Sequence, residues 1–208
     1  MRRHAFFIAL LTCLLTPLWS VADETKEPPL ELTLFVNGKP YSIELGREQK
    51  VTGEFKNPSV VVRAATARRF SYGGISFEYP ASFTWEAEIE GKAYRCWTIS
   101  GNDSKIMYFA LDSEFTPELY ANEMARQFGV KNTTVAPIRR KFGKTNLNGK
   151  RVIAIIAETE IVQDAFAIPA PDNQWRLLVL QDVAPERTPN LEEPKLVLDL
   201  LSKSLSVK

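Results

Sequence analysis

The sequence has few residues of the two types that support most metal and nucleophilic chemistry: one histidine and two cysteines among 208 residues. His4 and Cys13 both lie in an N-terminal segment that we predict to be removed. The mature chain then has no imidazole base for a Ser-His-Asp or Cys-His centre, and it lacks the usual ligands of zinc, copper and iron. Carboxylate chemistry, lysine nucleophiles and oxygen-bound calcium or magnesium remain open, but we favour a non-enzyme without metal or cofactor.

The remaining cysteine, Cys96, has no partner for an intramolecular disulfide. Small exported domains often depend on disulfides, so their absence predicts a hydrophobic core large enough to be stable alone. Cys96 lies in the strand-like run 94–97. We interpret it as a small buried apolar residue, with a reactive thiol as the alternative.

The first 22 residues carry the pattern of a cleavable secretory signal peptide. Arg2 and Arg3 precede an apolar run over residues 5–15, and Ser20-Val21-Ala22 places small residues before a cleavage point. A positive start, an apolar stretch of roughly 7–15 residues and a small-residue end are the features of an export signal. We predict cleavage after about Ala22 and an extracytoplasmic protein, either secreted or periplasmic.

Membrane anchoring is the alternative to cleavage. The apolar run is shorter than the roughly 20 residues that span a bilayer. Lipoprotein anchoring at Cys13 is disfavoured, because Thr12 is a poor fit directly before the cysteine and the acidic flank offers no second membrane-binding signal. The predicted membrane contact is therefore limited to the signal peptide before cleavage.

The charge of the chain is balanced. Lys and Arg number 26 and Asp and Glu number 25, so loss of Arg2 and Arg3 brings the net charge close to −1. Such a chain has no global attraction to nucleic acid or to anionic membranes. We predict no nucleic-acid partner.

Residues 30–64 are predicted to form a small unit rich in β-hairpins. The alternating runs 31–36 and 41–45 flank Asn37-Gly38, a dipeptide that favours a two-residue type I′ turn. Two further apolar runs, 50–55 and 60–63, follow as strand candidates. The polar, proline-containing residues 23–29 before this unit predict a disordered lead.

Residues 70–208 are predicted to form the main domain. Its first part contains alternating runs that indicate an antiparallel meander with one buried face. Thr116, Pro117 and Gly129 are typical of the beginning and end of a helix. Long strands are predicted over 133–142, 151–158, 160–167 and 175–183. An amphipathic helix over about 193–205 is predicted to cover the sheet.

One segment of this domain resembles a known family. The run Gly74-Ile75-Ser76-Phe77-Glu78-Tyr79-Pro80, followed by Phe83, is similar to the opening of the PsbP-like domain, to which the DcrB- and LpqN-related domains belong. The resemblance covers about residues 70–208 and leaves 30–64 unexplained. It implies an α+β fold, an antiparallel sheet flanked by helices in an α/β/α sandwich. It also implies a binding or accessory role, without an active site shared across the family.

The strongest charge feature is a basic run in the predicted hairpin 133–158. It has no acidic residue between Ala136 and Ala157. Its members are Arg139, Arg140, Lys141, Lys144, Lys150 and Arg151. They are our candidate anion-binding residues, for phosphate, a polyanionic glycan or an acidic partner. The alternative is that they solubilise the hairpin and keep its edge from aggregating.

Two other groups of residues are candidate sites. Glu86, Glu88 and Glu90 recur at a spacing of two. They suit three interpretations: calcium ligands, a catalytic carboxylate pair, or the solvent face of a half-buried strand. Aromatic residues are frequent, and they suit either a carbohydrate or lipid pocket or core packing. They are Tyr79, Phe83, Trp85, Trp97, Tyr108, Phe109 and Trp175.

These patterns favour an exported, non-catalytic binding or accessory protein of the cell envelope, whose partner is an unknown protein or anionic envelope ligand. A carboxylate- or lysine-dependent enzyme acting on an envelope glycan is one alternative. An envelope-assembly or docking protein is another, and an exposed apolar patch or an unpaired sheet edge would favour it.

Overall fold

The computed structural model describes residues 23–157, 159–171, 174–185 and 192–207. The predicted signal peptide over residues 1–22, with its cleavage point after Ala22 and with Cys13, lies outside the described residues. Within the described ranges, no helix is both long and apolar enough to cross a bilayer.

The first strands form a sheet of their own. They are β1 Leu32–Val36, β2 Lys39–Ile43 and β3 Val60–Ala64, in the order β2-β1-β3. Asn37 and Gly38 join β1 to β2 with φ angles of 49° and 80°. Positive φ at both turn residues is what a type I′ turn requires, which confirms the predicted hairpin. Of the two apolar runs that follow, only the second forms a strand.

The division into a 30–64 unit and a 70–208 domain stays a prediction.

The rest of the described chain forms two further sheets and two α-helices. The elements are β4 Ala67–Phe70, β5 Ile75–Pro80, β6 Thr84–Glu90, β7 Tyr94–Ser100, β8 Ser104–Leu111, α1 Pro117–Phe128, a 3-10 turn Val130–Asn132, β9 Thr133–Phe142, β10 Thr145–Ile156, β11 Thr159–Ala167, β12 Trp175–Pro185, α2 Glu192–Ser204 and β13 Ser206–Val207. The main sheet is antiparallel in the order β6-β7-β8-β12-β11-β10-β9, and the smaller sheet has the order β13-β5-β4.

The main sheet buries both of its faces in part. We call one the aromatic face, which carries Trp97, Tyr108 and Phe166 and holds the larger core cluster. We call the other the α1 face, where Tyr120 of α1 packs with Leu177 of β12. The aromatic face is covered by the smaller sheet and by α2, which contacts β5.

The predicted fold class, an α+β sheet flanked by helices in an α/β/α sandwich, is wrong. Strands account for 51% of the described residues and helices for 16%, so the protein is mostly β. The physical reason is β5, which is buried along nearly its whole length. Phe77 and Tyr79 of β5 lie in the same core cluster as Trp97, so a second sheet, rather than a layer of helices, provides much of the cover on the aromatic face.

Candidate functional site

The predicted anion patch lies on β9, β10 and the turn between them. β9 is an edge strand of the main sheet, and β10 is its neighbour. Arg139, Lys141 and Lys144 are exposed on this edge. Cations on an edge strand also oppose strand pairing with other chains. Anion binding by these residues stays a prediction.

The other three basic residues of the patch form ion pairs. Lys150 pairs with Glu118 of α1. Arg151 donates from Nε and Nη2 to the two carboxylate oxygens of Asp164, at 2.6 and 2.7 Å. Arg140 Nη2 lies 3.5 Å from the same carboxylate. The positive charges of these three residues are therefore largely neutralised by carboxylates of the protein itself.

A second carboxylate lies on β12 beside this network. Asp182 accepts a hydrogen bond from Ser104 Oγ at 3.2 Å. Burial raises the pKa of Asp182, and the negative charge of Asp164 adds to the rise. A carboxylate pair with one desolvated member is what an acid–base enzyme would need. Asp164 is engaged by two arginines, however, so the pair does not offer a free carboxylate base.

The glutamates of β6 lie at the opposite edge of the main sheet. Glu86, Glu88 and Glu90 are exposed and alternate with partly buried residues, as expected for the solvent side of a half-buried strand. Glu86, Glu88 and Cys96 help to line a shallow cavity of about 180 Å³. Burial raises the pKa of Cys96, which makes its thiol a poor nucleophile. Among the described residues, no group of three or more acidic or sulfur side chains is placed to hold a metal ion.

Most of the singled-out aromatic residues belong to the core. Tyr79, Phe83, Trp97 and Tyr108 are buried in the larger cluster. Tyr108 donates its hydroxyl proton to Gly73 O at 2.7 Å. Phe109 packs on the α1 face. Trp175 is the most accessible of the set, 37% exposed, beside a cavity of about 210 Å³.

Residues 23–29, predicted to be disordered, lie against the protein instead. Trp97 Nε1 donates to Glu24 O at 2.8 Å, and Arg68 Nη1 donates to Pro28 O at 2.6 Å. We call residues 24–28 the N-terminal strap. The sequence gives no local signal for this contact, because its donors come from distant strands.

No family model matches this chain, and no curated protein matches it. The resemblance to the PsbP-like domain therefore stays a prediction. A feature that the sequence did not place is the edge of the first sheet.

The outer edge of β3 is an exposed apolar strand edge. Val60, Val61 and Val62 are 55%, 46% and 55% exposed. Among the described residues β3 pairs with β1 and with no other strand. Three consecutive valines have high strand propensity, and an exposed apolar edge is a ready template for pairing with another chain.

The hydrogen bonds to β1 define which backbone groups of β3 face outward. Asn37 N donates to Ser59 O at 2.8 Å, and Ala65 N donates to Glu31 O at 2.9 Å. Residues of an antiparallel strand alternate between facing one neighbour and facing the other. Ser59, Val61, Arg63 and Ala65 therefore face β1. The N–H and C=O groups of Val60, Val62 and Ala64 face away from it. We call these three residues the β3 edge.

The opposite edge of this sheet is protected. By the same alternation, Leu34 and Val36 of β1 face β2, so Pro40 and Ser42 of β2 face outward. Proline has no N–H to donate and is a common way to block an edge strand. Of the two edges of this sheet, the β3 edge is therefore the one that is apolar and offers an unbroken row of backbone hydrogen-bond donors.

Proposed function

We propose that this protein is an exported, non-catalytic docking protein of the cell envelope. It binds an extended segment of a partner protein as an added strand along the β3 edge. The observation that carries this proposal is the contrast between the two edges of the first sheet: Pro40 blocks one, and three exposed valines leave the other open.

The chemistry of the β3 edge indicates the kind of segment that it binds. Val60, Val62 and Ala64 each offer one donor and one acceptor, so an antiparallel partner strand gains up to six backbone hydrogen bonds. Backbone pairing supplies affinity in strand addition, and alternate side chains supply specificity. Because the valines are exposed on both faces of β3, a segment rich in β-branched residues covers the most apolar surface.

A short segment fits this edge better than a second globular copy does. β3 has five residues, and stable interfaces between folded proteins bury about 1,200–2,000 Å². Pairing of one short strand with another buries much less surface than that. The edge therefore suits reversible capture of an extended segment, which is consistent with an accessory role.

The test is proline substitution on the two edges. Val62→Pro removes an outward N–H without removing a hydrogen bond to β1, and Ser42→Pro is the matched change on the β2 edge. Each variant is immobilised and used to capture proteins from the native cell envelope. We expect a partner that is retained by the unaltered protein and by Ser42→Pro and is lost with Val62→Pro. Circular dichroism and thermal unfolding check that both variants are folded.

Hydrogen exchange then locates the contact. The amides of Val60, Val62 and Ala64 should gain protection when the captured partner is added. Capture that survives Val62→Pro would overturn the proposal. Self-association that is lost with Val62→Pro would instead make a second copy the occupant, and analytical ultracentrifugation detects it.

A further inference from the structure

The N-terminal strap lies across a row of hydrogen-bond donors. Trp97 Nε1 donates to Glu24 O at 2.8 Å, Trp85 Nε1 to Thr25 O at 3.2 Å, and Tyr72 Oη to Lys26 O at 3.1 Å. Arg68 Nη1 donates to Pro28 O at 2.6 Å. These donors come from three strands and one loop, and they meet the carbonyl groups of residues 24, 25, 26 and 28. Residues 23–26 form a turn, in which Lys26 N donates to Asp23 O at 3.0 Å. Together with Arg95, they form what we call the strap groove.

The two ends of the strap groove are basic. Arg95 Nη1 lies 3.6 Å from Glu24 Oε2, and Arg68 Nη1 lies 3.2 Å from Glu27 Oε2. The Nε atoms of both arginines are buried, and neither has a hydrogen-bond partner among the residues that the structure describes. The groove is therefore complementary to a segment with two carboxylates three residues apart.

The strap itself is held with little apolar burial. Pro28 is buried, whereas Thr25, Lys26 and Glu27 are exposed. The strap carbonyls bond to water when they are detached, so each hydrogen bond to the groove contributes only a small net free energy. Segments with few buried apolar contacts are those that open locally. The strap is therefore expected to detach from the groove more readily than the core opens.

Removal of the strap would leave two indole N–H groups, a phenol and two guanidinium groups facing water, and the hydrogen bonds of Trp85 and Tyr72 are already exposed. A ligand that covered these donors without accepting their hydrogen bonds would pay a desolvation cost, so the groove favours a replacement ligand rich in carbonyl and carboxylate oxygens. We infer that the strap groove is a peptide-binding site. It takes an acidic, proline-containing segment of another polypeptide in place of the strap. This inference is independent of the β3 edge.

The test uses a fluorescent synthetic peptide with the sequence of residues 23–29, DETKEPP, as the probe. Glu24→Gln together with Glu27→Gln in the protein weakens the strap and leaves the groove intact. Because the apparent affinity for a ligand rises with the fraction of open sites, this variant should bind the peptide about tenfold more tightly than the unaltered protein does. Fluorescence anisotropy measures the binding, and emission of Trp85 and Trp97 should change with it.

Two controls make the result specific. A peptide with both glutamates replaced by glutamine should bind the same variant about tenfold more weakly, since it loses the pairs with Arg68 and Arg95. Val62→Pro should leave peptide binding unchanged, which separates this site from the β3 edge. Absence of saturable binding by the folded weakened-strap variant, or equal binding of the two peptides, would overturn the inference. Dimerisation of the protein by strap exchange would also overturn it, by making a second copy the occupant.

Discussion

Asp164 provides the sharpest test of how burial sets the strength of an ion pair. Its carboxylate is 6% exposed and receives both hydrogen bonds from Arg151, whose side chain is 36% exposed. The perturbation is Asp164→Asn, which keeps the size of the side chain and removes its charge. Arg140 and Arg151 then both lose their carboxylate partner.

The expected cost lies between two limits. Breaking a fully buried ion pair by removing one partner costs about 3–5 kcal/mol, and losing a hydrogen bond to a charged group costs about 1.5–3 kcal/mol. Both arginines reach solvent in part and can be rehydrated. We therefore expect Asp164→Asn to lower the free energy of unfolding by about 2–3 kcal/mol.

The matched control is a pair with the same geometry at the surface. Arg126 donates from Nε and Nη2 to Glu123 at 2.9 and 2.6 Å, but its side chain is 75% exposed. Exposed ion pairs contribute little, so Glu123→Gln should leave the unfolding midpoint almost unchanged.

Urea unfolding followed by tryptophan fluorescence measures both variants. The double variant Asp164→Asn with Arg151→Gln should lose less than the sum of the two single changes, because the partners share one interaction. Equal losses from Asp164→Asn and Glu123→Gln would refute the reasoning, since geometry alone would then set the strength of the pair.

Two further predictions concern partly buried positions of the main sheet. Asp182→Asn should be more stable than the unaltered protein near neutral pH. Burial raises the pKa of Asp182 above its ordinary 3.8, so the ionised carboxylate destabilises the folded protein at higher pH. The greater stability of Asp182→Asn should therefore disappear as the pH falls toward 3.8. Parallel curves of urea midpoint against pH for the two proteins would contradict this. Gly149→Ala should destabilise the protein by about 3 kcal/mol or more, because a Cβ at Gly149 would overlap the carbonyl oxygen of Ala165. Thermal unfolding measures this loss, and Asn148→Ala at the exposed neighbouring position is the control. Similar unfolding midpoints for the two variants would contradict the prediction for Gly149.

Local patterns predicted local structure well. Thr116 Oγ1 accepts from Leu119 N at 3.2 Å, and α1 ends at Phe128 before Gly129, so the predicted helix is confirmed. The alternation on β6 also predicted which of its residues are exposed. These features depend on residues within a few positions of one another, where capping and turn chemistry decide the conformation.

Contacts between distant strands could not be predicted in this way. The run from Ala136 to Ala157 contains no acidic residue, which suggested a free basic patch. The register of β10 and β11, however, places Arg151 opposite Asp164 of the next strand. The β3 edge was missed for the same reason. The apolar run 60–63 predicted a strand, but its position at the side of a sheet depends on how three strands are ordered.

The smaller sheet also sets the order in which the protein can fold. Ser206 and Val207 pair with Ser76 and Ile75 of β5, and Ser204 Oγ accepts from Glu78 N, 126 positions earlier in the sequence. Contacts of such separation form slowly, and exposed apolar surface makes incomplete chains prone to aggregation. The aromatic face cannot be fully closed until residues 192–207 have left the ribosome. A partly synthesised chain therefore exposes apolar surface of this face that the last helix covers in the finished protein.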